Sequence, residues 1–333
     1  MKLGVFLSQD TALPVAREAE RLGYAVALVP EGFKCDAPSV LGAVAAGTDR
    51  IRLASGVMQI PARTPVLTAL TSATLHALSG GRFALGLGVS NPDVSHGWYG
   101  VPFDRPLART RDYLAVVRTA LRGEPVRFQG PTLTLPPAGV AEAAHLRGAA
   151  VPADVPIWLA AVGPANLELA GEVADGWIGV FCPPSRLAES LAWVGKGRDR
   201  AGLDMDGFEV LPSVPVAATA EPLRHYFANF IGLGGRERSI YHRLVTSMGY
   251  GDAADEIRRR IAAGDRPGAA AAVPDALVGE VSLLGDAERM AARMVAYAAA
   301  GVTTLGLTPL APTLDAQLQT LRTAARALEI AGV

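Results

Sequence analysis

Two apolar runs that end among small residues, with one helix-length segment between them, constrain this chain more than any other feature. Residues 51–57 and 82–87 read as buried strands, and the second runs on into Gly88. Residues 65–78 between them open on Pro65, a residue suited to the first turn of a helix. A helix-length connection is a crossover and not a hairpin, so the two strands run parallel and both need cover on each face.

The same unit recurs along the chain. Apolar runs bounded by turn residues fall at 3–7, 25–29, 51–57, 82–87, 156–160, 175–179, 208–217 and 302–307. Helical segments lie between them: one led by Pro14 and stopped by Gly23, one opened by Asp36 and Pro38, then 65–78, 108–121, 166–174, 287–299 and 314–328. Residues 127–135 read as a small hairpin about Gly130-Pro131, and 136–152 as a surface loop. Residues 221–278 form a helical region set before the last strand. Eight strands, each followed by helix, predict a (β/α)8 TIM barrel with a helical insertion before the last strand, in one domain over 1–333. The functional groups of such a barrel lie at the C-terminal ends of its strands.

Composition removes several function classes. The 31 basic and 32 acidic residues leave a net charge of −1, so no global field favours nucleic acid or an anionic membrane. No run of about twenty apolar residues spans a bilayer. Cys35 and Cys182 stand far apart without metal or disulfide spacing, which fits a reducing cytoplasm and no metal site. No H-E-x-x-H, G-x-S-x-G or Walker loop occurs. The expected partner is a small-molecule substrate, without nucleic acid or membrane.

An ordered set of motifs then resembles the bacterial luciferase-like oxidoreductases, most of all their coenzyme F420-dependent branch. It runs from Arg63-Thr64-Pro65 through Leu78-Ser79-Gly80-Gly81-Arg82-Phe83, Leu85-Gly86-Leu87-Gly88-Val89-Ser90 and Gly97-Trp98-Tyr99-Gly100. It continues through Leu107-Ala108-Arg109-Thr110-Arg111-Asp112-Tyr113 and Ala174-Asp175-Gly176-Trp177 to Ala272-Val273-Pro274-Asp275. The resemblance implies this same barrel, a homodimer, and a deazaflavin or flavin ring in the barrel mouth. It implies a non-prolyl cis peptide behind the ring, whose counterpart here is Gly56-Val57, and a coenzyme phosphate at Ala161, Val162, Gly163 and Pro164. Small residues and a following helix N-terminus suit an anion there. Ser55, Gly88 and Ser90 complete the expected cofactor contacts, and Arg63 is a candidate for the acidic tail of F420.

His96, in the loop after the fourth strand, and Glu31, at the tip of the second, are the candidate acid/base groups. Asn91 and Trp98 are candidate substrate contacts. Many relatives carry Glu where His96 stands. The family's sugar-phosphate dehydrogenases carry a glutamate where Asn91 stands and a histidine where Gly32 stands, so that activity does not transfer. The expected function is F420-dependent hydride transfer to or from a small organic molecule. An FMN-dependent monooxygenase is the alternative, and a non-redox ligand-binding member of the same fold is the second.

Overall fold

The computed structural model describes residues 1–148, 153–234 and 239–333. The last four residues of the loop read over 136–152, and residues 235–238 of the helical region, lie outside the described residues. Eight strands follow one another as β1 (Lys2–Phe6), β2 (Val26–Val29), β3 (Arg52–Ser55), β4 (Phe83–Gly88), β5 (Ile157–Ala160), β6 (Gly176–Val180), β7 (Glu209–Ala217) and β8 (Thr304–Pro309). They pair in the order β7-β8-β1-β2-β3-β4-β5-β6, and β6 pairs with β7 again, which closes the (β/α)8 barrel. Two short strands join the sheet, Met58–Gln59 beside β4 and Leu283–Leu284 beside β7.

The chain divides into two compact units. The larger holds residues 6–178 and 189–210. Its helices α1 (Ala12–Arg21), α2 (Ala37–Ala45) and α3 (Pro65–Leu78) follow β1, β2 and β3 in turn. Asp36 caps α2 by accepting the Ser39 N–H at 3.1 Å, and Thr64 caps α3 by accepting from Leu67 at 3.3 Å. Between Pro65 and Leu75 the buried face of α3 is made of small residues, Thr68, Ala69, Ser72 and Ala73, and α5 (Pro106–Leu121) packs against the helix. There the Tyr113 hydroxyl lies 2.5 Å from Thr68 Oγ1.

The Gly80-Gly81-Arg82 turn has a physical explanation. Both glycines hold positive φ, at 63° and 86°, where a side chain is strained. The turn delivers Arg82 to the Ile51 carbonyl (2.6 Å) and the Thr48 carbonyl (2.7 Å), which locks the N-terminal ends of β3 and β4. Glu20 performs the matching task from α1, where one carboxylate oxygen accepts from the amides of Asp49, Arg50 and Ile51 at 3.0, 2.6 and 2.8 Å. Burial raises the Glu20 carboxyl, but the three amides and Arg50 outweigh it and hold it below the usual value. A depressed folded value stabilises above the unfolded pKa and is lost as pH falls through the folded one. Glu20→Gln is therefore expected to lose about 1–2 kcal/mol at pH 7. Thermal melts of both proteins should converge as pH falls from the ordinary carboxylate range through the lowered folded value of Glu20, where the wild-type carboxylate also takes up a proton.

The smaller unit holds residues 1–5, 179–188 and 211–333. Between β7 and β8 it carries the helices Ala220–Gly232, Ile240–Val245, Gly251–Ala262, Arg266–Ala271 and Asp275–Val281, the insertion expected before the last strand. These pack their own core around Phe227, Ile231, Ile257 and Leu277, and Phe181 joins it with its ring centroid 5.3 Å from that of Phe227.

Three local readings need correction. Residues 89–98 are not an irregular loop throughout, because Pro92–Gly97 is a short helix, α4. A helix at Pro184–Arg200 follows β6 where the sequence reading placed none. The third strand stops at Ser55, two residues before the expected end, and resumes as Met58–Gln59 after the intervening Gly56–Val57 peptide. That peptide is cis, in line with the family resemblance. No helix among the described residues is long and apolar enough to cross a membrane.

Candidate functional site

The C-terminal ends of β2, β3 and β4 carry few side chains and many glycines, and the packing explains why. A Cβ on Gly86 would overlap the carbonyl oxygen of Ser55. One on Gly56 would lie 2.7 Å from the Phe6 ring and 2.9 Å from Leu28 Cβ. One on Gly88 would lie 2.8 Å from Val57 Cγ2. These distances are shorter than real side-chain contacts, so a side chain at position 86 would force β3 and β4 apart, and one at 56 or 88 would displace neighbouring side chains. The strand ends thus present backbone, with Val57 as the side chain between Gly56 and Met58.

Ser55, expected to touch a cofactor, is fully buried and turned inward. Its hydroxyl donates to the Gly86 carbonyl at 2.8 Å and accepts the Gly86 N–H at 2.9 Å. Its side chain is a strand-to-strand bridge.

Glu31 leaves the end of β2 with its side chain only 4 % exposed. Oε1 pairs with Arg63 Nη2 at 2.8 Å, and Oε2 accepts the Gln59 N–H at 3.1 Å. Both oxygens are thus engaged, and neither Glu31 nor Arg63 stands as the free acid/base or free cation the sequence suggested. Arg63 Nε is buried without a hydrogen-bond partner. Tyr99 lies within the field of this pair. Burial raises its phenol, Glu31 adds to the rise, and Arg63 opposes it.

Gln59 is the residue that sequence reasoning missed. Its Nε2 donates to the Glu31 carbonyl at 3.1 Å, and its Oε1 accepts the Ser90 hydroxyl at 2.6 Å. Ser90 itself holds a left-handed backbone, φ 64°. Nothing in the local sequence signals Gln59, because both partners are about thirty positions away.

The residues after Ser90 are occupied differently from the expectation. Asn91 caps α4, with Oδ1 accepting from Val94 N at 3.0 Å. Its side-chain oxygen is thus committed to the backbone. His96 is exposed, and its Nε2 accepts the Phe103 N–H at 2.7 Å. In that bond Nε2 is the acceptor and fastens the loop at Phe103. Trp98 is 61 % exposed and meets the 64 % exposed Phe33 edge to face, with centroids 5.2 Å apart. The loops after β2 and β4 therefore touch through two aromatic rings, and Trp98 remains accessible to a ligand.

At the end of β5, residues 161–164 turn into α6 (Pro164–Val173). Gly163 has φ 84°, no atom within 4 Å of where a Cβ would stand, and no side chain caps the helix after it. The turn is held from β6 by Trp177, whose buried indole N–H donates to the Ala161 carbonyl at 2.9 Å. Trp177 and Trp158 are core residues, and Trp177 also positions this turn. Asn166 Oδ1, on the first turn of α6, is buried without a partner.

A closed parallel barrel with glycine-rich strand ends and an open glycine turn places the chain in the βα-barrel class, whose enzymes carry their sites on the loops at those ends. The sequence profile of the luciferase-like monooxygenases matches residues 8–304, and the chain belongs to that family. It is 35% identical over 329 residues to a Mycobacterium tuberculosis protein named "Putative coenzyme F420-dependent oxidoreductase Rv3520c", covering 92% of this chain and 95% of that one. It is 26% identical over 273 residues to the 5,10-methylenetetrahydromethanopterin reductase of Archaeoglobus fulgidus, covering 80% and 79% of the two chains. Among solved structures, the F420-dependent tetrahydromethanopterin reductase of Methanopyrus kandleri superposes with a TM-score of 0.83 at 21% identity, over 97% of both chains. An F420-dependent secondary alcohol dehydrogenase superposes with a TM-score of 0.77 at 20% identity, over 98% of both. The last two likenesses concern the fold. The protein is an oxidoreductase of this family.

Proposed function

We propose that this chain transfers a hydride between coenzyme F420 and a small organic substrate. The observation that carries the reading is the 35% identity to the F420-named mycobacterial protein over nearly the full length of both chains. Gly56, Val57, Gly88 and Ser90 would hold the ring side of the cofactor, and Ala161, Val162, Gly163 and Pro164 its phosphate side. Two features of the chain support the fit. The strand ends of β3 and β4 are kept bare by glycines at which an added Cβ would crowd its neighbours. The α6 turn offers uncapped N–H groups and open space at Gly163. Bound F420 supplies a deazaflavin carbon able to accept or donate a hydride, a two-electron step that needs no oxygen.

The chain's own part is to bind and orient. Glu31 and Arg63 neutralise one another beneath the mouth, so the floor is polar but nearly charge-balanced. Trp98 and Phe33 give one rim an aromatic surface suited to the apolar part of a substrate. The test is an anaerobic titration with oxidised F420, following its fluorescence. Saturable binding is the expected result. Failure to bind F420 combined with oxygen uptake in the presence of reduced FMN would replace this reading by the monooxygenase one. Failure with both cofactors would leave a ligand-binding barrel.

A further inference from the structure

Resting on that reading, the geometry points to Gln59 as a positioning residue: its side-chain amide, with Glu31 and Ser90, clamps the ends of β2, β3 and β4 into one rigid cofactor platform. The polarity of the clamp is fixed by its partners. The Glu31 carbonyl can only accept, so Nε2 must face it, and this turns Oε1 to the Ser90 hydroxyl. Gln59 and Glu31 are joined twice, because the Glu31 carboxylate also accepts the Gln59 backbone N–H. The Glu31 N–H in turn donates to the Val57 carbonyl at 3.3 Å. Gln59 is thus the residue through which Glu31, after β2, is linked to Ser90, after β4, while it sits on the short strand that pairs with β4 itself.

Ser90 shows what the link holds in place. A non-glycine residue at φ 64° is uncommon, and a left-handed conformation outside glycine or asparagine persists where surrounding contacts impose it. The bond from Ser90 Oγ to Gln59 is such a contact. The clamp sets the backbone of residues 88–90 against that of residues 57–59, so a planar ring meets a single surface and not three separate loop ends.

The two halves of the clamp can be cut separately. Gln59→Glu keeps an acceptor for Ser90 but sets an oxygen against the Glu31 carbonyl. Ser90→Ala removes the other half, and Gln59→Met removes both at similar volume. Hydrogen–deuterium exchange of the ligand-free protein should quicken at 30–34 only in Gln59→Glu, at 86–91 only in Ser90→Ala, and at both in Gln59→Met. F420 affinity, read by fluorescence titration, should fall about tenfold in Gln59→Met. Adding Ser90→Ala to Gln59→Met should quicken exchange at 86–91 no further, since the bond is already gone.

Exchange that rises uniformly, or not at all, in all three variants overturns the clamp. So does segment-specific loosening with F420 affinity unchanged. If the wild-type protein binds no F420, the functional proposal fails on its own, and the exchange pattern still decides whether Gln59 clamps the strand ends.

Discussion

Gly86→Ala is expected to destabilise the protein by at least about 3 kcal/mol, the upper range for a residue forced into a packed core. The added Cβ would overlap the Ser55 carbonyl oxygen and lie 3.1 Å from its carbonyl carbon and 3.2 Å from Ile178 Cδ1. Ile178 can shift its methyl, but the backbone of β3 has no rotamer to take. Relief requires β3 and β4 to separate at Ser55. That separation also breaks both hydrogen bonds between the Ser55 hydroxyl and Gly86, leaving two backbone groups unpaired in the interior. Thermal unfolding measures this, and a fall of about 5 °C or more is the expected scale for a chain of this size. Gly32→Ala serves as the control, since nothing lies within 4 Å of its Cβ position. A midpoint unchanged from wild type in Gly86→Ala would show that the two strand ends do not meet as described.

Removing one member of the Glu31–Arg63 pair should have an effect of similar size. With side chains 4 % and 18 % exposed, the pair is buried, and breaking such a pair costs about 3–5 kcal/mol because a charge is left without its partner. Glu31→Ala also takes the acceptor from the Gln59 N–H and leaves Arg63, whose Nε already lacks a partner, with a second unsatisfied nitrogen. The informative comparison is with the double variant Glu31→Leu/Arg63→Met. Replacing both charges with apolar side chains removes the desolvation cost together with the attraction, so the double variant should be markedly more stable than either Glu31→Ala or Arg63→Met. Chemical denaturation supplies all three values. If instead the single losses add, the two groups do not interact and the arrangement of the mouth is wrong. F420 binding should stay weak in the double variant, because the Gln59 N–H still lacks its carboxylate.

The sequence displayed what is local. Asp36 before Pro38, Thr64 before Pro65 and the paired glycines before Arg82 each carry their own mechanism within a few residues, and α2, α3 and the start of β4 lie where those signals put them. The Asn91-Pro92 pair carried an equally plain signal, an N-cap followed by proline in the first turn, and it marks α4. Reading Asn91 through its place in relatives obscured that simpler role. Gln59, the inward turn of Ser55 and the Trp177 bond to Ala161 have no local signature. Each joins chain segments that become neighbours only after parallel strands are set in register, and a shift of one residue in that register would point every one of them elsewhere.

The two exposed rings at the rim give the protein a built-in optical reporter. Of its four tryptophans, Trp158 and Trp177 are buried at 2 % and 1 % exposure, and Trp193 lies under Lys196 Nζ at 3.6 Å. Trp98 alone is more than half in water, so it dominates the red edge of the emission and is the indole most open to collisional quenchers. Light collected at that edge therefore comes chiefly from the rim, and arrival of a molecule there can be followed without attaching a dye.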